Sequence, residues 1–250
     1  YVIQKMVDRP AIDKTKLLHR LTIFKNTEQV DFRLNETLIW IDANTVSIQV
    51  SQEGKGLVAS RIRSFTNEKN QEHPILYDLL FLRSYTEVFS HLKKLGLPLK
   101  TETELYGEKD IPNQTFKSEL DTYFSRLDGE IAQVINDESK PISLWLKKET
   151  PESKSASQTK NEKSDAFRPL RLVFSVQSRS LEMRFRSYQT YSGFAYPSKI
   201  DIFQDGVLWV QLETVELKPN SEVQPEKSVV STDLESKLEE FLNLYFKWIR

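Results

Sequence analysis

Two apolar, alternating runs joined by Gln204–Asp205–Gly206 dominate the stretch Ser187–Asn220, SYQTYSGFAYPSKIDIFQDGVLWVQLETVELKPN. Asp-Gly between such runs is a strong short-range hairpin signal, because a tight turn needs positive φ, which glycine adopts at little cost. Beyond the turn, Leu208, Val210 and Leu212 share one face by alternation, opposite Trp209, Gln211 and Glu213. The ribbon holds no catalytic constellation. Its apolar and aromatic surface suits an apolar ligand better than a reaction.

The period-2 pattern begins much earlier. Leu17–Phe24 alternates, a second strand starts near Phe32, and a third covers Thr37–Val50, interrupted at Asp42–Ala43–Asn44. Gly54–Lys55–Gly56 closes a further hairpin into Leu57–Phe65, which makes the first quarter an antiparallel meander. A short helix is expected at Tyr1–Val7. Pro74–Leu97 shifts towards the 3.6 period and stops at Gly96 and Pro98, and Phe116, Leu120, Tyr123, Phe124, Leu127, Ile131 and Val134 predict another helix over Thr115–Asn136. Pro141–Lys147 and Leu170–Val176 alternate again, as do Leu181, Met183 and Phe185 after a turn at Gln177–Ser180. Glu149–Ala166 has no large apolar residue and is expected to be a mobile insertion. Ser231–Arg250 predicts a closing amphipathic helix capped by Thr232 or Asp233, with Leu234, Leu238, Phe241, Leu242, Tyr245 and Ile249 on one side. Leu244, Phe246 and Trp248 widen that arc. A helix docked on the fold is the plain reading; a removable plug or a membrane-touching segment is the sharper one.

The totals exclude several classes. At 250 residues the chain can bury a sizeable core, and a net charge of -1 lacks the basic excess of a nucleic-acid binder. With no cysteine there is no disulfide, no thiolate metal site and no cysteine nucleophile. No run reaches the length of a membrane-spanning helix. The chain opens at Tyr1 without methionine, so it reads as a processed or trimmed form, with prior removal of a signal peptide expected.

Reaction chemistry finds no starting point. His19, His73 and His91 are far apart without metal-ligand spacing, and they read as surface residues. The acidic pairs Glu102/Glu104 and Glu239/Glu240 read as solvated carboxylates. Gly54–Lys55–Gly56 lacks the spacing of a phosphate loop, and Ser157–Gln158–Thr159–Lys160 lies in the polar insertion, where no rigid frame would hold a Ser–Lys pair. The chain is therefore expected to be no enzyme, with no catalytic residue, metal or cofactor.

The order of elements resembles the outer-membrane lipoprotein carrier family, the LolA/LolB-like proteins of the bacterial envelope. The matching pieces are the N-terminal helix, a meander holding Leu38-Ile39-Trp40-Ile41, the mid-chain helical pair and, above all, the late hairpin. That hairpin carries Tyr191-x-Gly193, Tyr196-Pro197-x-x-Ile200, Asp205-Gly206 and Val215-Glu216-Leu217-x-x-Asn220. The resemblance implies an α+β fold: a strongly curved, unclosed antiparallel half-barrel with helices over its concave face. It implies a periplasmic carrier of lipid or lipoprotein acyl chains, with a membrane-bound release partner. The family's carriers often follow the Leu-Trp-Val strand with an Arg-Pro pair whose arginine helps hold the lid shut. Here Ile41-Asp42-Ala43-Asn44 stands instead, so that latch is not carried over.

On this reading residues 1–230 form the carrier-like sheet and its lid, with the insertion at 149–166, and residues 231–250 add the closing helix. The hydrophobic cavity is expected to be lined by Leu38, Trp40, Leu79, Leu80, Leu181, Met183, Phe185, Ile200, Ile202, Leu208, Val210 and Leu212. Ile75–Phe89 and the closing helix are the lid candidates. The alternative is a protein-binding or structural module of the same fold without cargo, presenting exposed aromatics at Phe246 and Trp248.

Overall fold

The computed structural model describes residues 14–42, 45–64, 122–127, 130–137, 142–149, 166–191, 194–219, 225 and 234–250. The chain divides into two compact units: Pro10–Phe81 with Leu181–Arg250, and Tyr1–Arg9 with Leu82–Ser180.

In the first unit, β1 (Lys16–Phe24), β2 (Val30–Asp42), β3 (Thr45–Gln52) and β4 (Gly56–Ser64) form the expected meander. The alternation around Phe32 and that of Thr37–Asp42 belong to one strand, not two. Its register with β1 is continuous from Phe32 to Ile39, so no turn separates the two segments. Later in the chain come β9 (Arg179–Tyr191), β10 (Phe194–Gln204) and β11 (Val207–Lys218), and the strands of this unit run in the order β4-β3-β2-β1-β11-β10-β9, all antiparallel. The order is linear: within the unit, β4 and β9 do not pair to close it.

Directly paired residues of an antiparallel ladder share a face. One face therefore runs through Leu17, His19, Leu21 and Ile23 of β1 to Phe32, Leu34, Glu36 and Leu38 of β2 on one side and to Val210 and Leu212 of β11 on the other. It continues to Ile200 and Ile202 of β10 and to Met183 and Phe185 of β9. All of these side chains are buried. We call this the inner face. The outer face is polar: Gln211 Nε2 donates to Asp201 at 2.8 Å, Arg186 pairs with Asp201, and Arg184 pairs with Glu182.

Asp205 and Gly206 have φ of 51° and 81°, the two positive values that a tight hairpin turn between right-twisted strands requires. The predicted hairpin is thus present, but a bulge alters its faces. The register passes from Ile202↔Val210 to Phe203↔Leu208, which leaves Trp209 as the extra residue on β11. Leu208 consequently shares a face with Phe203, whose ring lies 4.6 Å beneath the Arg184 guanidinium on the outer side. Trp209 is turned inward.

The closing helix, α1 (Ser236–Trp248), packs on this inner face. It begins later than the sequence signals indicate. Glu235 occupies the cap position, in extended conformation and with no side-chain cap bond, while the first-turn amides of Leu238 and Glu239 reach the Glu235 carbonyl at 2.9 and 3.1 Å. The expected caps, Thr232 and Asp233, lie outside the described residues. The helix buries Leu238, Phe241, Leu242, Tyr245, Phe246 and Trp248. Phe246 and Trp248, which the protein-binding alternative would expose, keep only 2% and 5% of their surface, because the apolar arc is wide enough to press both against the sheet.

In the second unit, β5 (Thr122–Leu127), β6 (Glu130–Asp137), β7 (Ile142–Glu149) and β8 (Ala166–Val176) pair in sequence, antiparallel. The strands β5 and β6 overturn the helix predicted over Thr115–Asn136. Leu127 faces Glu130 across a two-residue connection, and Asp128-Gly129 is the same turn dipeptide as Asp205-Gly206. The expected elements at Tyr1–Val7 and Pro74–Leu97, and the interior of the 149–166 insertion, lie outside the described residues.

The bulge makes a direct prediction. Trp209→Ala should lower unfolding stability by about 3 kcal/mol and Leu208→Ala by about 1 kcal/mol, measured in urea. Equal losses would contradict the bulged register.

Candidate functional site

The inner face is apolar except at one place. His19 and Glu36 are neighbours in the β1–β2 register, each completely buried, in a row otherwise made of leucines, isoleucine and phenylalanine. A lone carboxylate at such a position would be strongly disfavoured. Its partners come from the far end of α1. Beyond Trp248 the backbone N–H groups of Ile249 and Arg250 both turn back to the Tyr245 carbonyl, at 2.9 and 3.2 Å. The fully buried Arg250 side chain reaches Glu36.

The pairing is side-on. Arg250 Nε donates to Glu36 Oε1 at 2.8 Å and Nη2 donates to Oε2 at 2.6 Å, the two-point geometry that suits a planar guanidinium and a carboxylate. The Tyr245 hydroxyl donates to Oε1 at 2.7 Å, and His19 Nδ1 lies 2.9 Å from Oε2. Glu36 can only accept, so Nδ1 carries the imidazole proton and donates it. Each carboxylate oxygen thus receives two hydrogen bonds. Arg250 Nη2 also approaches His19 Nδ1 to 3.4 Å, but an Nδ1 that is donating cannot accept there. The Tyr196 ring stacks on His19 at 5.9 Å between centroids, across the small Thr214 that pairs with His19 on the intervening β11.

Electrostatics follows from burial and pairing. Burial alone would raise Glu36, but the Arg250 charge and the hydrogen bonds from His19 and Arg250 outweigh it and hold the carboxyl at about 2. Burial pushes His19 below 6.5 despite the help of Glu36, so the ring is neutral at pH 7. Arg250 is held above its ordinary value: burial works against its charge, and Glu36 more than offsets it. Burial raises both Tyr196 and Tyr245.

A histidine beside a carboxylate is also the core of a general base. Here the carboxylate is neutralised by Arg250 and the imidazole is wholly buried, so this pair is built to hold α1 rather than to exchange protons with a substrate. Among the described residues no group of three or more His, Asp or Glu is placed to hold a metal.

Around this polar core the helix makes aromatic contacts. Trp209 meets Phe241 edge-on at 5.3 Å and Trp248 at 6.0 Å, and Phe241 stacks on Tyr245 at 5.5 Å. Arg63 Nη2 donates to the Phe246 carbonyl at 2.8 Å, and the Arg61 guanidinium lies 4.8 Å over the Phe246 ring. At the other end Lys55 Nζ stands 3.8 Å from Glu235.

The inner face brings together Leu38, Trp40, Leu181, Met183, Phe185, Ile200, Ile202, Val210 and Leu212, every one of them buried. Leu208 is on the other face, displaced by the bulge, and Leu79 and Leu80 lie outside the described residues. The residues that sequence reasoning missed are His19, Glu36, Tyr196, Tyr245 and Arg250. His19, expected at the surface, is entirely enclosed, because alternation places it in the buried row between Leu17 and Leu21. A charged residue in the apolar register of a strand, as Glu36 is between Leu34 and Leu38, was the available signal.

The chain is similar to a LolA superfamily protein from Nitrosomonas europaea, at 13% identity and a TM-score of 0.45, over 93% of this chain and 96% of that one. It is also similar to a Vibrio parahaemolyticus domain described as outer membrane lipoprotein-sorting, at 12% identity and a TM-score of 0.41, over 89% and 93% of the two chains. A DUF1329 family protein from Desulfovibrio piger follows at 11% and 0.34, over 88% and 90%. No family model matches the chain, and no curated protein does. Likeness at this level carries no ligand across; the site's chemistry rests on its own residues.

The charge core sets a pH dependence. Glu36 drops from 4.5 to about 2 on folding, so its contribution is complete above pH 4.5 and is lost as pH falls towards 2. His19, lowered from 6.5, binds its proton more readily in the unfolded chain, so stability also declines as pH falls below 6.5. Urea unfolding between pH 8 and pH 3 should show a loss beginning near 6.5, with about 2 kcal/mol of it by pH 3 traceable to Glu36. In His19→Gln the upper part of the fall should disappear. A wild-type profile flat from pH 7 to pH 4 would contradict the assignment.

Proposed function

We propose that the chain is a non-enzymatic carrier that binds acyl chains of a lipid or lipoprotein on the inner face of its first unit, in the bacterial envelope. In this reading the sheet is the curved, unclosed half-barrel of the carrier family and α1 covers its concave face. The observation that supports it most is the mode of attachment of α1. An apolar helix on an apolar face needs no buried ion pair, and well-packed hydrophobic residues would hold it as well or better. A buried Arg–Glu pair instead specifies one seat for the helix and adds an all-or-none character to leaving it.

The energetics suit a carrier. An acyl chain gains ~0.8 kcal/mol for each methylene removed from water, which offsets, without any directional contact, the apolar burial lost when α1 leaves the face. Binding then becomes a choice between two occupants of one face, helix or acyl chain, with both states within reach. Arg250 takes the latch role for which residues 41–44 offer no arginine. A membrane-bound partner for release completes the proposal.

Complete burial of Leu181, Met183, Ile200 and Ile202 favours a second reading, a filled core that takes no cargo. One experiment separates the two. The intact chain should take up a fluorescent fatty acid with near-stoichiometric saturation, and native mass spectrometry of protein from bacterial envelope should reveal a bound acyl species. A chain shortened by residues 231–250 should bind more dye. An apo mass together with no uptake by either form would establish the filled core, and unchanged uptake by a folded shortened chain would remove α1 as the cover.

A further inference from the structure

The inner face changes character at β4. Val50, Ile48 and Val46 of β3 are buried and pair with Ala59, Arg61 and Arg63, so the apolar row ends in two guanidinium groups on alternate residues of one strand. Across from them, Asn243 and Lys247 stand one helical turn apart on the exposed side of α1. These four side chains line an open cleft of about 320 Å³. Among the described residues that line it, three are cationic and none is acidic, in a chain whose net charge is -1. No carboxylate pairs with Arg61 or Lys247 among the described residues.

We propose that this cleft is a binding site for a phosphate group, presented by the headgroup of an anionic phospholipid. Planar guanidinium groups match phosphate oxygens in pairs, an ammonium adds a point charge, and the Asn243 amide supplies a neutral donor. Arg61 is pre-positioned by the Phe246 ring, so its guanidinium loses little freedom on binding, while Arg63, held by the Phe246 carbonyl, adds its charge to the cleft wall. The choice of a lipid as the bearer rests on the carrier reading: the cleft exists while α1 is seated, so it meets the headgroup of a lipid still in its membrane, before any chain takes the place of α1 on the inner face. Vesicle binding and acyl uptake are measured separately, so either can fail without the other.

The test is flotation of the intact protein with vesicles of phosphatidylcholine, with and without phosphatidylglycerol, at two salt concentrations. Binding should require the anionic lipid, weaken with salt, and fall at least about tenfold in Arg61→Glu/Lys247→Glu, since each basic residue near an anionic surface adds ~1 kcal/mol. Arg63 is left intact because it also holds the Phe246 carbonyl. Should the reversed pair fail to fold, Arg61→Gln/Lys247→Gln gives the same reading. Equal binding to both vesicle types, or full binding by a folded variant, would overturn the site. Shifts of the Asn243 amide resonances with inorganic phosphate, without vesicle association, would overturn the lipid assignment in favour of a soluble phosphate ligand.

Discussion

The carboxylate of Glu36 organises this unit. It is buried in the middle of an apolar sheet face, and only full satisfaction of its oxygens makes that position tolerable. Four hydrogen bonds, from Arg250 twice, Tyr245 and His19, provide it. Two of those donors sit at the end of α1, so the helix cannot slide by a turn or rotate without stranding a charge. The aromatic contacts of Trp209, Phe241 and Trp248 add burial, which is non-directional. Direction comes from Glu36.

How the helix and the face cooperate follows from this division. Apolar area makes the inner face attractive to α1 and, in the proposed carrier, to an acyl chain. The charge core discriminates, since only α1 can satisfy Glu36. In the proposed carrier, departure of the helix costs both its apolar burial and the pairing of Glu36, and His19 beside that carboxylate makes the second part sensitive to acid. The described lining of the cationic cleft comes from β4 and the exposed side of α1.

Much of the sheet was legible because alternation is a backbone property. Leu17 to Phe24, the Gly54–Gly56 turn and the Asp205–Gly206 hairpin all follow from period and turn chemistry. Bulges are not legible that way. One extra residue reverses a face without altering composition, and Trp209 for Leu208 is the result. The helix misread over Thr115–Asn136 has a different cause. Apolar residues at spacings of three and four also fit two short strands, and the Asp128-Gly129 dipeptide was the evidence for the break. The charge core was hidden because its members are 17 and 214 residues apart from Glu36, at His19 and Arg250, and only the fold brings them together.

Native-state hydrogen exchange of the α1 amides, in the wild type, Glu36→Leu, Arg250→Met and the double variant, addresses the central claim most directly. Each single variant leaves an unpaired buried group and should speed exchange in α1 by more than about 100-fold, from a loss of about 3 kcal/mol or more, while the β1–β2 amides change less. The double variant should recover much of the protection. Unchanged α1 exchange in the single variants, or losses that simply add in the double, would show that Glu36 and Arg250 do not hold the helix.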